Sequence, residues 1–184
     1  PGHAVPIGAG LQWARIPLPM ELNHINVWLM ADGDDWLLVD TGMAEDVCRA
    51  AWATLESGAL EGRPLSRIFI THDHPDHMGL SQWLNARHGA PVWMSAIGHA
   101  STAELLATSS AAMADRRQAF VTSHGMEIGP EERQRLAGSD PGRWYGALPP
   151  LSRAIAGGDR VAAGGRDWQV IETSGHCRGH LCLY

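Results

Sequence analysis

Arg67-Ile68-Phe69-Ile70-Thr71-His72-Asp73-His74-Pro75-Asp76-His77 is the stretch on which the fold turns. Its first five residues are a short apolar run rich in strand formers, so they read as a buried strand ending at Thr71. Three His and two Asp follow within six residues. His72 and His74 are two apart, and in extended backbone such residues face the same way. Pro75 disfavours helix at His74 and keeps the pair extended. Two imidazoles so placed can reach one cation at about 2.0–2.1 Å. Asp76 and His77 fall at the turn into the next helix, where they can face a neighbouring point. Imidazole and carboxylate together suit zinc, and also iron or manganese.

Working outward, Leu80 to His88 reads as a helix stopped by Gly89, and Val92 to Ser95 as a further strand. Upstream, His24 to Ala31 and Trp36 to Val39 are β-rich runs separated by an Asp/Gly turn, the pattern of a hairpin. Asp40-Thr41-Gly42 ends the second run. Met43 to Ser57 then has apolar residues at helical spacing and stops before Gly58. Residues 36–95 therefore alternate strand and helix, which predicts an α/β sheet with helical crossovers. From Ile97 to about Gly138, Ala, Leu, Met, Glu and Arg dominate; two or three helices are expected, with a break at His124-Gly125 and a restart near Pro130. Ser139 to Pro150 reads as a loop. Arg160-Val161, Asp167 to Thr173 and Leu181 to Tyr184 read as strands. The 97–150 segment looks like a helical insertion in a β-rich frame.

A second motif, Ser174-Gly175-His176-Cys177-Arg178-Gly179-His180, also follows a predicted strand. A three-His site needs a ligand from elsewhere in the chain, and His176 is the candidate. Gly175 and Gly179 permit a tight loop. His180 reads as a supporting residue, and Cys177 as a small packed side chain. His3, His24, His88, His99 and His124 lack ligand spacing. Trp144-Tyr145, in a Gly/Pro loop, could rim a substrate pocket.

Composition narrows the function. The chain has 184 residues, 45% hydrophobic, with 14 basic and 20 acidic residues and a net charge of −6. All the basic residues are Arg. Without a basic patch, a nucleic-acid ligand is not expected. No apolar run approaches the roughly 18 residues that cross a bilayer, so no membrane partner is expected. Three scattered Cys do not make a disulfide framework and fit a reducing, cytoplasmic compartment.

These motifs resemble those of the metallo-β-lactamase fold superfamily. Thr71 to His77 is similar to its His-x-His-x-Asp-His motif, Asp40-Thr41-Gly42 to its upstream Asp-Thr-Gly, and Gly175 to His180 to its Gly-His-x-x-Gly-His loop. The wording is nearest to glyoxalase II-like thioester hydrolases, in which the loop runs into a Cys-containing strand, as in His180 to Tyr184. The resemblance implies an αβ/βα sandwich. It implies that His72, His74 and His176 hold a first metal, that Asp76 and His77 contribute to a second, and that Asp40 and His180 support them. One or two zinc ions are expected; iron or manganese is the alternative.

The superfamily supplies two further ligands after the Gly-His loop, a bridging Asp and a late His, which residues 1–184 do not contain. The expectation is that residues 1–184 are the N-terminal portion of one such domain. The second half would come from a longer chain or a second chain, with a homodimer as one arrangement.

The activity implied is hydrolysis of a small-molecule thioester, lactone, ester or amide by a metal-bound hydroxide held beside Asp76. Two alternatives stay open: an iron-dependent persulfide dioxygenase, and a non-catalytic metal-binding or interaction protein on a degraded hydrolase fold.

Overall fold

The computed structural model describes residues 2–137, 140 and 142–184. Residues 138, 139 and 141, where the expected helical segment ends and the expected loop begins, lie outside the described residues.

A seven-stranded sheet forms the centre, its strands ordered in sequence. Strands β1 (Ala4–Gly8), β2 (Leu11–Pro17), β3 (His24–Asp32) and β4 (Asp35–Val39) form an antiparallel meander. The expected hairpin is β3–β4. From β4 onward the pairing is parallel, through β5 (Leu65–Phe69), β6 (Val92–Met94) and β7 (Leu151–Ala154). The crossovers are helical: α1 (Asp46–Ser57) between β4 and β5, then α2 (Pro75–Met78) and α3 (Ser81–His88) between β5 and β6. Helices α4 (Ala96–Ala107), α5 (Ser110–Ser123) and α6 (Pro130–Ala137) follow β6. The helical segment is therefore a long crossover between two parallel strands of the main sheet. A second, antiparallel sheet holds β8 (Arg160–Ala163), β9 (Arg166–Thr173) and β10 (His180–Leu183) in the order β10-β9-β8.

Both faces of the main sheet are covered, and the side-chain alternation shows it. On β3, Ile25, Val27 and Leu29 enter a core shared with Cys48, Ala51, Trp52 and Leu55 of α1. Those four helix residues recur at the spacing of one helical face. Met30 points the opposite way, and on β4 so do Leu37 and Val39, into a second core with Val161, Val170 and Leu181. A strand buried on both sides reads as a continuous apolar run, which is why Trp36 to Val39 carries no polar residue.

Two strands escape sequence reading. β1 contains Pro and Gly and is mostly exposed; β7, Leu-Ser-Arg-Ala, is an edge strand with three exposed residues. Neither shows periodicity. Between the sheets lies an apolar cleft of about 400 Å³, with Trp28, Trp168 and Thr71 among its walls. Among the described residues, β10 pairs as a strand only with β9, and from its other edge Leu181 N donates to Thr71 O at 2.8 Å.

Candidate metal centre

Parallel strands place their C-terminal ends along one edge, and ligand sites in such sheets gather there. Here that edge carries Asp40 after β4, Thr71 and His72 after β5, and Ser95 after β6. β10 reaches the same edge through a backbone bond from Leu181 N to Thr71 O at 2.8 Å, and brings the β9–β10 loop with it. That contact delivers His176 to His72 and His74.

The three rings converge. His176 Nε2 lies 3.2 Å from His72 Nε2 and 3.0 Å from His74 Nδ1. One nitrogen from each ring lies within 4.8 Å of the other two. Tetrahedral bonds of 2.0–2.1 Å would set ligand nitrogens about 3.3 Å apart, so the spacing fits one small cation. Among the described residues this is the only such group of three. His72 is buried, His74 half-buried and His176 exposed, so the cluster opens outward from a dry floor. Burial, reinforced by the imidazoles of His77, His74, His180 and His176, pushes His72 down to about 2. It is thus neutral at any physiological pH, with its lone pair available.

Hydrogen bonds set the tautomers. Thr71 Oγ1 donates to Asp40 Oδ2 at 2.8 Å and accepts from His72 Nδ1 at 2.9 Å, which leaves His72 Nε2 as the free lone pair. His77 Nδ1 donates to Asp40 Oδ2 at 2.8 Å, and its Nε2 lies 3.5 Å from Asp76 Oδ2. Burial disfavours protonated His77, but the hydrogen bond and charge of Asp40, with Asp76, outweigh it and raise its pKa. Asp76 and His77 therefore form a pair beside the three-nitrogen cluster.

Asp40 is itself held hard. It is 4% exposed, and Thr71 N donates to its Oδ1 at 2.8 Å. Its φ of 61° is left-handed, a region that Asp tolerates better than most residues. Thr41 then bonds the α2 carbonyl of His77 through both N and Oγ1, at 2.7 and 2.8 Å, and its own carbonyl accepts from Trp52 Nε1 at 2.6 Å. Gly42 has φ 99°, and a Cβ there would stand 2.6 Å from Ile16 Cγ2. The Asp-Thr-Gly triplet thus has one task per residue: orienting the His, pinning α2, and admitting the β2 side chain.

The remaining sequence candidates separate. His180 stays outside the three-nitrogen group; its Nδ1 is 3.0 Å from Thr173 Oγ1 and its ring 4.9 Å from that of His72. Cys177 is also outside it, and burial plus the charge of Asp73 raises its thiol pKa. His88 bonds Glu56, His99 bonds Pro149 O and His124 bonds Phe120 O, as ordinary hydrogen-bonded His do. Sequence reading missed the role of Thr71 as relay, although the strand-ending Thr was in view. It missed Ser95 too, which caps α4 by accepting from Gly98 N and sits so close to Gly179 that a Cβ there would lie 2.7 Å from its Oγ.

A family profile described as "Metallo-beta-lactamase superfamily" matches residues 20–184. The chain belongs to that superfamily. Among curated superfamily relatives, the acyl-coenzyme A thioesterase MBLAC2 of Gallus gallus is 28% identical over 188 residues, covering 97% of this chain and 60% of the relative. A hydroxyacylglutathione hydrolase of Fuscovulum blasticum is 28% identical over 169 residues, covering 90% and 48%. The crystal structure of a beta-lactamase domain protein from Burkholderia ambifaria superposes with a TM-score of 0.81 at 29% identity, over 100% of this chain and 52% of that one. The fold is thus the metallo-β-lactamase fold, and this chain spans about half to 60% of the length of these superfamily members. No helix among the described residues is long and apolar enough to cross a membrane.

Proposed function

We propose that the chain carries the metal-binding half of a hydrolase acting on a small-molecule carbonyl compound: a thioester, lactone, ester or amide. The observation that carries this is the convergence of His72, His74 and His176 on one point. When bound, a metal ion would supply Lewis acidity and bring the pKa of a coordinated water from 15.7 to about 7.

The chain's own residues do the rest. The three imidazoles hold one ion, zinc in the first instance, with iron or manganese compatible with the same donors. Asp76, beside them on the first turn of α2, orients the attacking water by accepting its hydrogen bond at a carboxylate oxygen. His77 and Asp76 offer two donors to a second ion. Asp40 keeps His77 and, through Thr71, His72 in the ligating tautomer. His180 braces the His loop against β9 through Thr173.

We further propose that residues 1–184 form the N-terminal portion of one domain, with residues 97–150 as its helical elaboration. The apolar inter-sheet cleft supports this, since isolated proteins cover such features. The names of the thioesterase and hydroxyacylglutathione hydrolase relatives favour a thioester substrate over the iron-dependent persulfide reading. The test is zinc titration followed by assay on short acyl thioesters and lactones. Zinc-dependent thioester or lactone turnover supports the proposal. Iron-dependent oxygen uptake with a persulfide, or stoichiometric metal binding without turnover, replaces it with one of the other two readings.

A further inference from the structure

The first turn of α4 stands between the two chain segments that carry the three imidazoles. Ser95, its N-cap, is 4% exposed and accepts from Gly98 N at 3.1 Å. A Cβ on Gly98 would lie 3.5 Å from Asp73 Cβ, so the turn rests against the residue between His72 and His74. On its other side, a Cβ on Gly179 would lie 2.7 Å from Ser95 Oγ and 3.2 Å from both Ser95 Cβ and Ile97 Cβ. One helical turn thus touches both ligand segments. It is also anchored to the helix that carries Asp76 and His77, since Thr102 Oγ1, one turn further along α4, lies 3.1 Å from Met78 Sδ of α2.

The His176 loop has no comparable fastening of its own. Among the described residues, no backbone-to-backbone hydrogen bond outside the strands involves residues 174–179. The Leu181–Thr71 bond holds β10, beyond the end of that loop. Gly179 has φ 68°, a left-handed conformation natural to glycine, and its lack of a side chain lets the loop close directly onto the α4 cap. Where that closure stops decides how far His176 reaches toward His72 and His74.

Resting on the reading of those three His as one metal site, we propose that Ser95 and Gly179 are a positioning pair. The capping hydroxyl of α4 is the stop against which the loop closes, and the fit sets His176 Nε2 at 3.2 and 3.0 Å from the other two nitrogens. Ser95 acts on the third ligand through Gly179, so the helical crossover contributes to cation affinity as well as to the fold.

The test is a double-mutant cycle, read as zinc Kd by chelator competition, with the metal-free thermal midpoint measured beside it. Gly179→Ala should weaken zinc about ten- to a hundredfold, the range for a lost support of a metal ligand. Ser95→Gly leaves a serviceable N-cap but removes the stop, and should weaken zinc several-fold. In the double variant the new methyl fills the space the serine leaves. Its Kd should return close to the parent's, while its midpoint stays below the parent's because the left-handed backbone of residue 179 persists. Gly165 has the same φ of 68° with nothing within 4 Å of its Cβ position, so Gly165→Ala carries the backbone strain alone and should lower the midpoint with Kd unchanged. Parent-like zinc binding by Gly179→Ala, a double variant that binds no tighter than Gly179→Ala, or an equal loss of affinity in Gly165→Ala overturns the pair. Should Gly179→Ala fail to fold, a double variant that does not fold and bind zinc near the parent's Kd also overturns it. A parent that binds zinc but turns over neither thioesters nor lactones overturns the hydrolase reading alone; a parent that binds no zinc overturns both.

Discussion

Asp40 Oδ2 lies 2.8 Å from both His77 Nδ1 and Thr71 Oγ1, so one carboxylate oxygen fixes the orientation of two rings. Replacing Asp40 with Asn keeps the shape but sets an amide N–H against one of these two donors. Removing such an outer partner typically costs about 10- to 100-fold in metal affinity. Competition titration with a zinc chelator is expected to show that loss for Asp40→Asn, with circular dichroism unchanged.

His74→Ala removes one of the three converging nitrogens. Metal content by mass spectrometry and hydrolytic turnover should disappear together. Turnover surviving in a metal-free variant would sink the mechanism.

Zinc binding should stabilise the folded chain, because the three nitrogens meet only in the native state. At one hundred times the dissociation constant the gain is about 2.7 kcal/mol. The rise in thermal midpoint should vanish in His176→Ala, whose ligand lies 104 residues from His72.

Gly42→Ala should destabilise by about 2–4 kcal/mol, combining a left-handed φ with overpacking against Ile16. Combined with Ile16→Ala, which removes the clashing Cγ2 methyl, the double variant should lose less stability than the sum of the two single losses. Denaturant unfolding of the single and double variants measures both terms.

Glu56 joins α1 to α3, accepting from Arg87 Nε at 2.9 Å and facing His88 Nε2 at 3.0 Å. Burial works against its charge, but the bonds and charges of Arg87 and His88 prevail and lower its pKa. A carboxyl with a depressed folded-state pKa contributes stability above its unfolded pKa of about 4.3, lost as pH falls through the folded value. The Glu56→Gln variant should therefore unfold at a lower temperature than the parent at pH 7, and the gap should close on acidification below about pH 4. A gap that stays constant with pH refutes the linkage.

What the sequence discloses follows from where chemistry is local. His72, His74, Asp76 and His77 sit in one hexapeptide, so their spacing alone announces a ligand set. The β4–α1–β5–α2/α3–β6 alternation is likewise legible because each element carries its own apolar period and stop signal, such as Gly89 at φ 67°. β7 is hidden because an edge strand with one partly covered residue has no pattern to show. His176 is legible as a candidate from its Gly-flanked place after a strand, but the contact that brings it to the pair, Leu181 N to Thr71 O, joins segments more than a hundred positions apart and shows in no local pattern. The Thr71 relay is a tertiary fact with no counterpart in spacing.

That the β10 backbone must dock on Thr71 before the third imidazole arrives has a bearing on biosynthesis. A nascent chain that has folded only as far as β6 possesses two nitrogens and the means to aim them, yet grips a cation weakly. A cation would be gripped fully only once the loop carrying His176, 104 residues after His72, is in place, so its binding would depend on both sheets having come together.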